Sequence, residues 1–355
     1  MNNTIKTAAL VASAALAPLA ANAQETISLT FASAFPPVLL PEKMILEDLI
    51  PEVNAELERN GSDYRIDWTL APGGTLIKGN EAIDALNSGL ADMASVSHAQ
   101  ESAKLGLLGV GYFTPFSTDN IGTVIQAFAY LNEEFPSSSK LLDDNGLHFV
   151  GAFSAGNFVI MSKQPIATVA DFDGVRMGTG GPNFAWFKNT GATGVQASPA
   201  NVFTMLQSGA IDAVADIRLI ALGAKTYEEA PNMLEARIGA APSALIAFSK
   251  DRFESLPEDV QAAIDHAGEY YMQKYAETAM QLDAEATDKL KELGVNVTEM
   301  SDEAKAEWVN GMDPIAKSWA ADMDAKGLDG TGVLNAYMTF LRDNGATPVR
   351  AWDEE

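Results

Sequence analysis

Leu86-Asn87-Ser88-Gly89-Leu90-Ala91-Asp92 recurs downstream as Leu206-Gln207-Ser208-Gly209-Ala210-Ile211-Asp212. In each copy a helix with apolar residues at helical spacing runs into Ser-Gly. Glycine suits the left-handed residue that ends a helix, and an extended run follows, residues 92–97 in the first copy and 210–216 in the second. Upstream of the first copy, residues 27–32 read as a buried strand. Pro41 then opens a segment with Met44, Ile45, Leu49, Val53 and Leu57 on one helical face. Tyr64, Ile66, Trp68 and Leu70 alternate with polar residues, a strand with one wet face. Asn80 is placed to cap the helix carrying Ile83 and Leu86. The second copy repeats this order: strand 174–177, helix 182–189, strand 194–196, a helix from Pro199, then strand 210–216. Two similar β-α-β-α-β lobes follow, an α/β fold whose right-handed crossovers build a parallel sheet in each.

The segments between and after the copies connect them. A helix from Asp119 carries Ile121, Val124, Ile125, Phe128 and Leu131, and residues 147–153, 158–162 and 244–249 read as extended. The chain therefore crosses between lobes more than once, giving lobe I as residues 24–154 plus 242–283 and lobe II as 155–241 plus 284–355. Ser255-Leu256-Pro257-Glu258 reads as a capping box opening a helix over about residues 258–293, ended by Gly294. At 1.5 Å per residue it reaches roughly 50 Å, enough to brace both lobes. The remainder is helical, with Trp308, Ile315 and Trp319 as packing residues.

Composition narrows the function. The 355 residues carry 23 Lys plus Arg against 48 Asp plus Glu, a net charge of −25, which disfavours a nucleic-acid partner. There is no cysteine, so disulfides, thiolate metal sites and cysteine nucleophiles are excluded. Lys6, the Ala-rich residues 8–21 and Ala21-Asn22-Ala23 form a secretory signal with cleavage after Ala23. No later segment reaches about 20 uninterrupted apolar residues, so the exported chain is not expected to be embedded in the membrane.

Enzyme signatures fail. Ser154 in Ala152-Phe153-Ser154-Ala155-Gly156 lacks the first glycine of a nucleophile elbow. None of His98, His148 and His266 has a metal-ligating partner four residues further on, and Lys326 interrupts the calcium-loop pattern begun by Asp322 and Asp324. No metal or cofactor is expected. The informative residue is Arg176, read at the carboxyl end of a parallel strand, where open α/β sheets bind ligands. A guanidinium there can hold a carboxylate through two parallel hydrogen bonds. Debye screening of about 8 Å lets such a pocket act despite the acidic surface. Arg218 reads the same way at the end of the second unit's last strand. Asp212 or Asp216 is available to neutralise it. Phe35, Phe153, Phe158, Phe184 and Trp186 lie near the same strand ends and can enclose an apolar ligand body.

The signal, the two units, Ala170-Asp171-Phe172-Asp173-Gly174-Val175-Arg176-Met177, the Ser-Gly-Ala-Ile-Asp run from Ser208 and the long helix together resemble the DctP-type solute receptors of TRAP (tripartite ATP-independent periplasmic) transporters. The resemblance covers essentially the whole chain after the signal. It implies a two-lobed, type II-like periplasmic binding protein fold that closes on a small organic anion, in most cases a carboxylate. It also implies delivery of that anion to membrane permease subunits driven by a sodium gradient. By the same resemblance Arg176 clamps the carboxylate, and Thr179 falls on a further ligand-contacting position with Asn157 adjacent to one. The loop from Gly73 to Lys78 faces the cleft, with His98 and Glu101 just beyond a cleft-facing strand end. Two departures stand out. Asp216 occupies a place where a substrate-contacting asparagine occurs in some members, which suits a hydroxyl, amine or cationic group on the ligand. Phe158 replaces a second arginine, which suits a more apolar acid. The same lobes would also serve an ATP-driven importer or a sensor system. A secreted hydrolase would need a nucleophile with a base, or a bound metal.

Overall fold

The computed structural model describes residues 24–198 and 201–354. The signal peptide and its cleavage after Ala23, and the helix start at Pro199, lie outside the described residues. Ten strands are present among those described: β1 (Glu25–Ala32), β2 (Tyr64–Ala71), β3 (Met93–Ser97), β4 (Leu147–Ser162), β5 (Arg176–Thr179), β6 (Thr193–Gln196), β7 (Ala213–Ile217), β8 (Asn232–Glu235), β9 (Ala240–Ser249) and β10 (Asn296–Glu299). The main sheet runs β2-β1-β3-β9-β4-β7-β5-β6, with β8 and β10 as a side ribbon on β4. β1 pairs in parallel with β2 and β3, and β5 in parallel with β6 and β7. β9 runs antiparallel to β3, β4 antiparallel to β7, and β9 and β4 antiparallel to each other. Each half of the sheet is thus the same four-strand pattern, and the two long antiparallel strands join them.

The internal repeat has a physical basis. Asp92 Oδ2 accepts from the Thr30 amide at 2.6 Å, and Asp212 Oδ2 accepts from the Arg176 amide at 3.1 Å. Each aspartate ties the turn after Ser-Gly to the neighbouring parallel strand, so the repeated Asp serves the fold. Gly89 and Gly209 both adopt positive φ, 72° and 73°, as the helix-ending reading requires.

Several sequence expectations shift. Residues 147–153 and 158–162 belong to one strand, β4, whose ladder with β9 slips at Phe149/Gly151, Phe153/Ser154 and Ser154/Asn157. Irregular pairing bends a strand, and here the bend falls where the sheet passes from one half to the other. β5 starts at Arg176 rather than at Gly174. Leu70, near the end of the edge strand β2, is exposed, whereas Ile66 on the same strand is buried. Asn80 does not cap; the helix Ala82–Asn87 begins after Glu81, and the Ile83 amide donates instead to the buried Glu101 carboxylate at 3.3 Å. The 182–189 helix shortens to a 3-10 turn, Gly181–Asn183, followed by Phe184–Phe187.

The long helix spans Glu258–Glu292. Its capping box does not form: Ser255 terminates the preceding helix Lys250–Glu254, and its hydroxyl donates back to the Arg252 carbonyl at 2.6 Å. The first turn carries Glu258 and Asp259 at the positive end of the helix dipole instead. Val260, Ile264, Ala267, Tyr271, Tyr275 and Ala279 pack into the core beneath β1, β3 and β9, whereas Leu290 joins a separate cluster with Val159, Val214 and Met233. Asp283 lies between those two contacts. One helical glycine has a packing reason, since a Cβ on Gly268 would lie 1.8 Å from the Val150 carbonyl oxygen of β4. The helices Ile315–Ala325 and Gly330–Asp343 cover residues 106–113 and the helix Ile121–Glu133.

Candidate functional site

The carboxyl ends of β5 and β7 border a recess of about 130 Å³ lined by Phe158, Thr179, Gly180, Asn183, Ala197, Ser198, Val202, Val214 to Ile217 and Ile220. Topology places it there. In an open sheet the crevice outside the carboxyl ends of parallel strands is the binding position, and β4 brings Phe158 alongside Ile217.

Three of the residues singled out from sequence meet in this recess. Thr179 ends β5 with its hydroxyl buried and unpartnered. Asp216 is buried; its Oδ1 accepts from the Ile217 amide at 2.8 Å and its Oδ2 from the Thr226 hydroxyl at 3.2 Å. Burial pushes its carboxyl up to about 6 against those two hydrogen bonds. Phe158 forms the apolar side, held edge-to-face by Trp186 at 5.1 Å. Trp186 itself is buried behind it, its indole donating to the Tyr112 carbonyl at 2.9 Å.

Arg176 is not in the recess. It opens β5, so three residues of strand, roughly 10 Å, separate it from Thr179. Its guanidinium is half-exposed and held by Asp212, Nε to Oδ2 at 2.7 Å and Nη2 to Oδ1 at 2.6 Å. The strand boundary decides this: a strand over 174–177 would carry Arg176 toward its carboxyl end, whereas β5 begins at Arg176.

Arg218 and Asn157 also sit elsewhere. Arg218 is buried with Glu235 on one side and Asp283 of the long helix at 2.5 Å on the other, and neither Asp212 nor Asp216 neutralises it. Asn157 donates to the Asp119 carbonyl at 2.9 Å and to Asp283 at 3.2 Å. Consecutive strand residues face opposite sides, so Phe158 lines the recess and Asn157 the Arg218 cluster. That cluster joins β4, β8 and the long helix at the crossing between sheet halves. Burial raises the Asp283 carboxyl, opposed by the charge of Arg218.

The remaining candidates belong to the first half. Phe35 is half-buried and meets Phe153 edge-on at 5.8 Å, and Phe153 in turn meets Tyr275. Lys78 is exposed, its ammonium donating to the Gly74 carbonyl at 3.0 Å. His98 is buried against Phe128 at 4.9 Å with neither ring nitrogen bonded, and burial pushes it down to about 3, so it stays neutral. Phe184 packs over Gly194.

Sequence reasoning missed the Asn183 side chain, whose Oδ1 is buried, unpartnered and in the recess. The signal was present in Gly180-Gly181-Pro182-Asn183, a turn that aims a short polar side chain. A larger cavity, about 450 Å³, opens between Asn120, Arg237 and Lys305, but no buried unpartnered side-chain atom lines it among the described residues.

The fold is shared with known proteins. A solute-binding protein from Desulfovibrio salexigens, a TRAP periplasmic protein in an open complex, superposes with a TM-score of 0.79 at 19% identity, covering 90% of this chain and 97% of that one. A Bordetella pertussis extracytoplasmic solute receptor binding pyroglutamic acid gives 0.71 at 19% identity, covering 88% and 99%. The ectoine/5-hydroxyectoine-binding periplasmic protein of Ruegeria pomeroyi is 26% identical over 290 residues, 78% of this chain and 79% of that protein. The model of family 7 of the bacterial extracellular solute-binding proteins, DctP, matches residues 42–322. With its duplicated sheet, its bracing helix and a recess at the strand ends, this chain belongs to the DctP family of bacterial extracellular solute-binding proteins.

Proposed function

We propose that this protein is the periplasmic receptor of a TRAP-type transporter, which captures a small organic acid between its two lobes and hands it to the membrane permease. The observation that carries this reading is the recess itself. Thr179, Asn183 and Asp216 line an open space at the strand ends, beside the β4–β9 crossing between sheet halves, and the Thr179 hydroxyl and the Asn183 Oδ1 are buried without a hydrogen-bond partner. Buried polar groups are ordinarily hydrogen-bonded, and a solute supplies the missing partners. The pyroglutamic acid bound by the Bordetella pertussis receptor supports the acid class. Among the described residues no helix is long and apolar enough to cross a membrane, which fits a receptor that works beside a separate permease.

Function then arises from closure. A ligand shifts the open–closed equilibrium only by its differential affinity for the two forms. Contacts from the first half of the sheet, made only on closing, supply that difference.

The test is a thermal-shift screen of small organic acids, followed by small-angle scattering on each hit. A ligand at a hundred times its dissociation constant adds about 2.7 kcal/mol, a shift of a few degrees. Hits that also reduce the radius of gyration, and that weaken in Phe158→Ala, are expected. Hits that stabilise without compaction and ignore Phe158 would overturn the receptor reading.

A further inference from the structure

The one ionisable side chain that lines the recess among the described residues is acidic, Asp216. No Lys, Arg or His lines it among the described residues. The two arginines nearest in sequence are committed elsewhere, Arg176 to Asp212 and Arg218 to Glu235 and Asp283. Asp216, by contrast, takes part in no ion pair among the described residues; its hydrogen bonds there come from one backbone amide and one hydroxyl. A carboxylate offers about four acceptor positions, so half of its capacity is unused in a buried place. Thr179 Oγ1 and Asn183 Oδ1 add two further buried atoms without partners.

We propose that this wall of the cleft selects a solute bearing a protonated nitrogen, an ammonium or amidinium group, which sits against Asp216 with Thr179 and Asn183 taking its remaining N–H bonds. The proposal rests on the receptor reading above and names the head group that this wall recognises. A bare carboxylate placed here would meet a like charge with no cation to offset it. An acid that engages Asp216 therefore does so as a zwitterion, through its nitrogen and with its carboxylate held elsewhere in the cleft. Phe158, Val202, Ile217 and Ile220, which also line the recess, give the carbon skeleton an apolar bed. The Asp216 carboxyl, held up by burial, is lowered again when a cation arrives, so binding and ionisation reinforce each other.

The experiment is a thermal-shift and calorimetric screen of the purified protein against nitrogen-bearing acids, each matched to a nitrogen-free analogue. Examples are L-proline against cyclopentanecarboxylate, and ectoine against cyclohexanecarboxylate, with galacturonate and succinate as further nitrogen-free acids. Asp216→Asn and Asp216→Glu are run in parallel, with circular dichroism to verify folding. Binding confined to the nitrogen-bearing members is expected, weakened at least about tenfold in Asp216→Asn and partly retained in Asp216→Glu. Nitrogen-free acids that bind as tightly, or hits indifferent to Asp216→Asn, overturn the head-group assignment while leaving the receptor reading intact. An absence of hits from both halves of the panel counts against both.

Discussion

Glu42 lies in the short helix Leu40–Met44 with no accessible surface, both carboxyl oxygens unpartnered and the Ser33 and Ser95 hydroxyls as its polar neighbours. Burial pushes its carboxyl from 4.5 up to about 7, outweighing what the two serines contribute. A carboxyl with a raised folded pKa binds its proton more tightly in the native state. Its contribution to stability is therefore complete below about pH 4.5 and is lost as pH rises through about 7. At 1.36 kcal/mol per unit, the shift amounts to about 3 kcal/mol lost by pH 8.5. Glu42→Gln keeps the shape and removes the charge. The variant should gain on the parent by about 3 kcal/mol between about pH 4.5 and pH 8.5, whatever constant offset the amide introduces. Urea unfolding followed by circular dichroism across that range reads the difference directly. A difference independent of pH would refute the argument that Glu42 titrates in a dry site.

Two further substitutions test the placement of side chains. Arg176→Ala should leave solute affinity within about twofold, because the half-exposed pair with Asp212 stands away from the recess and such pairs contribute little; calorimetry with any confirmed ligand checks this, and a loss of capture would return the arginine to the cleft. Gly268→Ala should destabilise the protein by about 2 kcal/mol or more despite alanine's better helix propensity, because its Cβ meets the Val150 carbonyl. Thermal melts of the two proteins decide, and an unchanged or raised melting temperature would show that the helix shifts off β4 without cost.

Much of the architecture was legible because it is written in local periodicity. The alternation from Tyr64 to Leu70, the helical spacing from Met44 to Leu57 and the twin Ser-Gly turns each depend on residues near in sequence, and each corresponds to an element in the fold. Boundaries were less legible. The Ser255–Glu258 pattern satisfies a capping box on paper, yet Ser255 is taken by the helix before it. Asn80 lost its capping role to Glu101, a residue delivered by the turn after β3.

The candidate site divides along the same line. Thr179 and Asp216 lie at or near the carboxyl ends of β5 and β7, Phe158 lies within β4 opposite Ile217, and strand order brings the three to one crevice. Arg176 has the right chemistry and the wrong end of its strand. Asn157 and Arg218 are each one residue from recess-lining neighbours and face the opposite side. The sequence by itself determined the duplicated α/β units and the helix that braces them, because hydrophobic period and turn chemistry are properties of short segments. Only the tertiary structure decided which charges reach the cleft. A side chain's partner there is set by strand register and by residues distant in the chain, as Asp212 claims Arg176, Glu235 and Asp283 claim Arg218, and Asp216 is left without a cation.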